Sequence, residues 1–453
     1  MHKNEQAAPA GDYRKFFLTD FELFEKNPNG DSRSPIHSMR RSAMEYFSEL
    51  GFPTTHDEEW RFTNITPITH ARFTQILKQE TVNVSNERLN KVFLNSIRGT
   101  RLVFLNGRYS EQYSNISIHS KQLKVGNISD LLKSEPDFIE QSLGKYASYK
   151  QNSFTALNTS FIDDGAFVMI PADTVLNDPI YVVYISTEID TPFAIHPRTL
   201  IIVGKNSRVS IVEHYIGLAE NTYFTNAVTE LVVADKAEVS HTKLQTESTK
   251  SYHIGSTYIH QQSGSNLTSN TIMIGGAVAR NNVFVTLDGE NIECSLNGLS
   301  LATGEQLIDN HTAIDHAKPN CASHELYKAI LDGKSKGVFN GKIFVRQDAQ
   351  KTDARQTNKT LLLSDNATMN TKPQLEIFAD DVKCTHGATI GYLDADAIFY
   401  LRSRGIEESI ARDILTYAFA NDVINRISIE PIREFTNRIL YTRLKQGRLL
   451  ENI

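Results

Sequence analysis

The chain is poor in cysteine: 453 residues include three, Cys294, Cys321 and Cys384. An odd, sparse set offers no disulfide framework and suits a reducing compartment. Three thiols also fall short of an all-thiolate, four-cysteine metal or cluster site. An excess of positive charge is missing too, with 47 Lys plus Arg against 53 Asp plus Glu, a net of -6. A globally basic nucleic-acid binder is therefore not expected. Apolar runs are short, such as Leu200-Ile201-Ile202-Val203, against the roughly 20 residues that span a bilayer. The opening MHKNEQAAPAGDYRK has no apolar core of a secretory signal. These absences lead us to expect a cytoplasmic protein that partners neither nucleic acid nor membrane.

Nucleotide motifs are lacking as well. The nearest approach to a phosphate loop, Gly337-Val338-Phe339-Asn340-Gly341-Lys342, is one residue short, and Ile343 stands where Ser or Thr should bind magnesium. This chain is not expected to bind nucleotide by that mechanism. Its two glycines and Asn340 read instead as turn residues between strands. No dinucleotide fingerprint and no G-x-S-x-G elbow occur.

What is present suits a soluble globular chain, 40% hydrophobic and 22% charged. Phe17, Phe21 and Phe24 recur at helical spacing, as do Met39, Ala43, Met44, Phe47 and Leu50 before Gly51. Trp60, the only tryptophan, reads as an anchor packing this region onto the rest. Leu102 to Leu105 reads as a strand ending in an Asn106-Gly107 turn, and about 128 to 150 as helix. From about 161 to 391 short β-rich runs alternate with Gly, Asn and Asp turns. A turn followed by an apolar position echoes at Val209, Val239, Leu267 and Ile292, at steps of 30, 28 and 25. One β-helix coil consumes about that much chain, and coils must stack to bury their apolar faces. A β-sandwich would show the same alternation, and the echo favours the β-helix over it. After Gly405 the pattern is helical again. Ile410, Ile414, Tyr417, Ala418 and Phe419 lie near one face. A last helix from Pro431 carries Ile432, Phe435, Ile439, Leu440 and Leu444, with Arg433, Arg438, Arg443, Lys445 and Arg448 opposite. That charge run reads as a solvated face, or more sharply as a docking surface for an acidic partner. The expected fold is mainly β, a β-helix core at 161–392 between a mostly helical segment with a small β element (1–160) and a helical segment (393–453).

Two thiol-bearing clusters could carry chemistry. The first gathers Asp309, Asn310, His311, Asp315, His316, Cys321, Ser323, His324 and Glu325. A single Cys-x2-His spacing without a matching pair is weak for a metal, so a structural role is expected. The second, Asp380 to Thr389, contains Cys384 and His386. On a strand these two share a face. Thiolate and imidazole form a competent pair for iron, zinc or a cluster, and Lys383 could lower the thiol pKa, though it alternates to the other face. A small buried cysteine beside a hydrogen-bonded histidine is the equally weighted alternative. Two ligands are incomplete, so a functional site needs ligands from elsewhere, most simply from another chain. The pairs Asp163-Asp164 and Asp380-Asp381 offer carboxylates for a β-helix carbohydrate enzyme. Adjacent strand residues face opposite sides, so neither pair converges by itself.

Longer motifs carry a family resemblance. His324-Glu325-Leu326-Tyr327-Lys328-Ala329-Ile330-Leu331-Asp332-Gly333 leads to Gly337–Lys342, then Gln350-Lys351-Thr352-Asp353-Ala354, Leu361-Leu362-Leu363-Ser364, Thr371-Lys372-Pro373-Gln374-Leu375-Glu376-Ile377, Cys384-Thr385-His386-Gly387 and Phe399-Tyr400-Leu401-Arg402-Ser403-Arg404-Gly405-Ile406. This run, dense from about 320 to 427, resembles the SufB/SufD family of the SUF iron–sulfur cluster assembly system. Cys-Thr-His-Gly-Ala-Thr and Glu58-Glu59-Trp60-Arg61-Phe62-Thr63-Asn64 look like its SufD side. The resemblance implies a right-handed parallel β-helix flanked by helical domains. It implies a non-enzymatic scaffold subunit that pairs with SufB through the β-helix, docks the SufC ATPase on the C-terminal helices and assists iron acquisition. A transient iron or iron–sulfur cluster would be shared with SufB at an interface where His386 serves, with Cys384 a less certain companion. An isolated chain could pair with itself. The resemblance gives no role to Cys294, Cys321, His311, His316 or His324.

Overall fold

A computed structural model describes residues 12–26, 33–76, 84–92, 94, 96–117 and 123–450, without the side chains of 12–14, 86, 90, 91 and 444–450. The alternating runs form a parallel β-helix in which successive strands switch between two sheets, one of eleven strands and one of ten. Coils stack in register. One inward column runs Val209, Val239, Leu267, Cys294, Ser323, Ala354 and Cys384. The coil length therefore lies between 27 and 31 residues, read from these positions. Three of the four echoed positions stand in this column. The fourth, Ile292, does not: Leu267 pairs with Cys294, so the step there is 27 rather than 25.

The cause lies in one corner of each coil. Asn206, Lys236, Gly264, Asn291, Asn320 and Lys351 all take positive φ between 56° and 66°, and the inward column begins three residues after each. Asn and Gly enter this left-handed region at low cost. The N–H of Asn206 donates to Asp235 O and that of Lys236 to Ser263 O, at 3.0 and 2.9 Å. The N–H groups of Gly264, Asn320 and Lys351 donate to the next coil in the same way, and these ties hold the register.

The two sheets are covered on their outer faces by different helices. Leu244, Ile272, Leu299, Leu326 and Ile330 of the ten-stranded sheet pack with Ala420, Val423, Ile424, Ile432 and Leu440 of the C-terminal helices. On the eleven-stranded sheet, Ala194, Phe224 and Ile254 meet an aromatic cluster of Phe17, Phe21, Phe47, Trp60 and Phe154. Trp60 is the anchor its composition suggested. Its ring lies 5.2 Å from that of Phe154, and the Arg280 guanidinium sits 3.7 Å from its centroid. Arg280 also donates to Glu59 O (2.7 Å) and to Asp309 (2.9 Å), and Thr63 donates to the same carboxylate.

Several local expectations change. The Asn106-Gly107 turn forms, with φ of 48° and 85°. The strand before it, Arg101–Leu105, also pairs parallel with Ile180–Ser186 and so belongs to the ten-stranded sheet. The helical signal from 128 splits into Ile128–Ser134 and Pro136–Ser142 and then stops. Beyond Gly144 the backbone N–H groups of Gly144, Tyr146 and Ala147 donate to the carboxylate of Glu230, buried against Arg198, rather than to a helix. Gly337, Asn340 and Gly341 are not turn residues. They lie inside the strand Lys336–Val345, where a Cβ on Gly341 would stand 2.2 Å from the Gln356 amide. In the helix Glu408–Ile424 the buried residues are Ala411, Thr416, Ala420, Val423 and Ile424. The expected apolar face of Ile410, Ile414 and Tyr417 points to solvent. Of the last helix's cationic face, the side chains of Lys445 and Arg448 lie outside the described residues, as does that of Leu444. Among the described residues no helix is long and apolar enough to cross a membrane.

Candidate functional site at the open end of the β-helix

The last coil consists of Thr368–Ile377 and Lys383–Gly391, the outermost strands of the two sheets. Among the described residues no further strand pairs with either, so each leaves one row of backbone N–H and C=O groups without a ladder partner. Apolar side chains cluster in sequence around this end and are exposed: Ile377, Phe378, Ile390, Tyr392, Phe399 and Tyr400. An exposed group of large apolar residues beside open strand edges is the composition of an interaction surface.

Cys384 and His386 stand on this coil, on one face as their spacing predicts. Cys384 follows Ala354 in its column, and His386 follows Gln356. In every earlier coil these positions point into the bore. Among the described residues no coil lies above them, and His386 is exposed. Among the described residues no side chain hydrogen-bonds its ring, so the alternative of a hydrogen-bonded structural histidine does not apply. Cys384 is different. It packs half-buried against a small cluster that includes Ala354, Leu375 and Val382. Burial pushes its thiol pKa up; a backbone hydrogen bond from Ala354 opposes this, and the Asp353 charge adds to it. Lys383 does not reverse that direction. The pair is thus an accessible imidazole beside a thiol held in its protonated form.

The first cluster does not converge. His316 points into the bore and bonds Ser323 (2.9 Å), while Asp315 pairs with Arg346 on the outside. His311 bonds Asp309 and Glu59, and Cys321 donates to Gly289 O (3.1 Å). Of the carboxylate pairs, Asp163 is bound by Arg108, and Asp164 accepts from the backbone of Tyr109, Ser129 and Gly165. Burial raises Asp164 to about 6, against those bonds. Both serve the joint between the N-terminal segment and the first coils. Among the described residues no group of three or more His, Cys, Asp and Glu could hold a metal ion. A site at Cys384 and His386 would need ligands from outside this set.

Family models match both parts of the chain. Residues 184–419 match the SUF system FeS cluster assembly, SufBD core domain, and 12–182 match the SufBD protein N-terminal region. The chain belongs to the SufBD family. It is 31% identical to the iron–sulfur cluster assembly protein SufD of Escherichia coli over 430 residues, covering 94% of this chain and 96% of that one. It is 33% identical to an iron–sulfur cluster assembly SufBD family protein of Synechocystis over 413 residues, covering 89% and 90%. The SufD of Bacillus subtilis is 23% identical across 90% of this chain. The parallel β-helix and the SUF assignment expected from the motifs therefore both stand.

Sequence reasoning missed a set of buried polar residues inside the bore: Glu213, His241, Lys243, Glu247 and His253. Alternation would have found most of them. Counted from Val209 and Val239, residues 211, 213, 241 and 243 all point inward, and three of these are ionisable.

Proposed function

We propose that this chain is a non-enzymatic subunit of the SUF scaffold that pairs through its open β-helix end with SufB. Iron or a nascent cluster would be held at that junction by His386 and partner ligands. The observation that carries this reading is the position of His386: an unpartnered imidazole on an inward column, exposed because its coil is the last. The open strand edges beside it supply backbone pairing, and the apolar residues from Ile377 to Tyr400 supply burial. The metal or cluster is cargo here, and this chain contributes part of its shell. Cys384 is the weaker companion, because its thiol must lose a proton before it can ligate. The outward face of Ile410, Ile414 and Tyr417 supports docking of the SufC ATPase on the C-terminal helices. ATP binding there could open the His386 junction only through different nucleotide affinity in two arrangements of the complex. Two copies of this chain could join by the same open edges, which makes a homodimer the competing occupant.

The test is His386→Ala in the chain co-expressed with SufB and SufC, with iron and acid-labile sulfide measured on the purified complex. We expect loading to fall several-fold while native mass spectrometry still shows the mixed complex. Unchanged loading would remove His386 from the site. A homodimer that persists in the presence of SufB would overturn the pairing.

A further inference from the structure

The end coil presents two open strands, and they are not alike. Lys383–Gly391 is exposed at every residue from Thr385 to Ile390, whereas Thr368–Ile377 is half-buried from Met369 to Glu376. The direction of each backbone row follows from its bonds to the coil below. The N–H of Thr368 donates to Ser335 O (3.0 Å) and that of Phe378 to Val345 O (2.9 Å). Successive residues of a strand turn their N–H and C=O groups to opposite sides. The positions of this strand that face the open side are therefore Met369, Thr371, Pro373, Leu375 and Ile377. The N–H of Lys383 donates to Thr352 O (2.8 Å). Its strand accordingly turns Cys384, His386, Ala388 and Ile390 to the open side.

Pro373 lacks an N–H, so the open row of Thr368–Ile377 is broken at its middle. The same strand carries Lys372, bound by Glu58, and Glu376, bound by Lys342 at 2.6 Å. A proline and charged side chains are the means by which sheet edges resist pairing. Lys383–Gly391 has neither beyond its first residue. Its open row keeps all four donors, and a Cβ on Gly387 or Gly391 would meet nothing within 4 Å. Helix Ala395–Ser403, next in the chain, has no buried residue. Ile390 and Tyr392, 45% and 60% exposed, add apolar surface to this edge. One edge of the end coil is thus guarded against pairing and the other is not, although both end the same stack.

We propose that the partner subunit adds an extended strand to Lys383–Gly391 and leaves Thr368–Ile377 unpaired. This rests on the reading that the open end is the pairing surface. It names the edge and the chemistry that edge recognises: the main-chain N–H and C=O groups of a strand without proline at the paired positions. The residues that offer their backbone are the ones whose side chains face the bore. A strand bonded to Cys384, His386 and Ala388 therefore carries its own inward side chains into the same columns, with Cα atoms roughly 4.5–5.5 Å across from that of His386. The partner's share of the shell around His386 comes from that strand.

The experiment is hydrogen–deuterium exchange of the full chain, as dilute monomer and in the mixed complex with SufB, read by mass spectrometry on the two end strands. We expect the amides of Cys384, His386, Ala388 and Ile390 to slow at least tenfold in the complex, and those of Thr368–Ile377 to change less than twofold. Ala388→Pro removes an N–H that faces away from the coil below and should weaken the complex at least tenfold. Pro373→Ala should change it less than twofold. Should Ala388→Pro not fold, the exchange rates decide. Equal slowing of both strands, or slowing of Thr368–Ile377 alone, overturns the choice of edge and leaves the pairing reading intact. A mixed complex in which both strands exchange as in the monomer overturns the pairing reading itself, and the edge with it.

Discussion

The two halves of the β-helix bore are built on one backbone plan and share one apolar cluster, but the later half adds buried polar side chains to it. In the first coils the inward positions are aliphatic or aromatic, including Val182, Tyr184, Ile201, Val203, Ile211 and Leu231. In the later coils the Ile201–Leu231 column stays aliphatic through Ile259, Val285 and Ile314, while other inward positions turn polar at Lys243, Asn281, Asn310, Glu325, Gln356 and Asn358. The backbone ladders continue unchanged from one half to the other. The outer faces are also apolar and covered in both. Cohesion in the second half therefore rests on ladders and outer packing. That leaves the bore free to hold polar side chains beside its apolar ones. The first half keeps an apolar bore where the chain must start a stack without an earlier coil to template it.

This contrast makes the first half the place where one truncation does most harm. Tyr184 is fully buried between Phe104 and Tyr215, and its hydroxyl donates to Arg198 O and is hydrogen-bonded with Thr199 Oγ1. Tyr184→Ala removes a ring from a close-packed stack and should cost about 3–5 kcal/mol, the range for large aromatic truncations. Urea denaturation followed by circular dichroism reads this as a lower midpoint. A loss under about 1 kcal/mol would mean the stack is not the seal that divides the halves.

The second half should show its character through pH. Burial raises Glu325 to about 7, against bonds from Gln356 and Thr312. The carboxyl ionises in the unfolded chain before it does so in the folded one, so the folded state holds the extra proton between the ordinary value and about 7. Stability from this group is full below the unfolded pKa and is lost as pH rises through that window. Glu325→Gln removes the dependence. Between pH 5 and pH 8 the parent should lose about 2 kcal/mol more than the variant, an order-of-magnitude figure from the linkage of shift to free energy. Thermal melts of both proteins across that range test it. Parallel curves would place Glu325 in contact with bulk solvent.

The same contrast separates what the sequence discloses from what it hides. Strand alternation and the corner residues reveal stacked coils, because period two and a positive-φ turn are local properties. The shared face of Cys384 and His386 is legible for the same reason. Register is not local. Ile292 directly follows the turn and continues the echo, yet the positive φ of Asn291 sets the column three residues on, at Cys294. The bore depends on such columns. The buried place of Lys243 emerges only when it is aligned with Glu213, and that of Asn281 only when Gly255 and Asn310 are placed beside it. His386 was visible because a Cys-x-His pair is conspicuous on one strand. Glu325 was visible only as part of a cluster whose other members point elsewhere. The face of Ile410, Ile414 and Tyr417 was legible as apolar. Its exposure was not, because burial of the helix Glu408–Ile424 is decided by Ala420, Val423 and Ile424 meeting the sheet.

The smallest expected effect is the sharpest discriminator between the halves. Asn281 is buried, and neither of its amide atoms is bonded by the protein. If water satisfies it, Asn281→Val exchanges a hydrated amide for a shorter apolar chain on a strand, where a β-branched residue is favoured. The gain in apolar burial and the loss of hydration should nearly cancel, leaving a change within about 1 kcal/mol. A buried leucine or isoleucine cut to alanine in the first half should cost about 2–5 kcal/mol. Measured side by side in urea, Asn281→Val and Leu231→Ala should therefore separate clearly, although both lie inside the same stack. A loss of about 3 kcal/mol or more for Asn281→Val would show that protein groups bond the amide. The polar positions of the second half would then be packed as solidly as the apolar ones of the first.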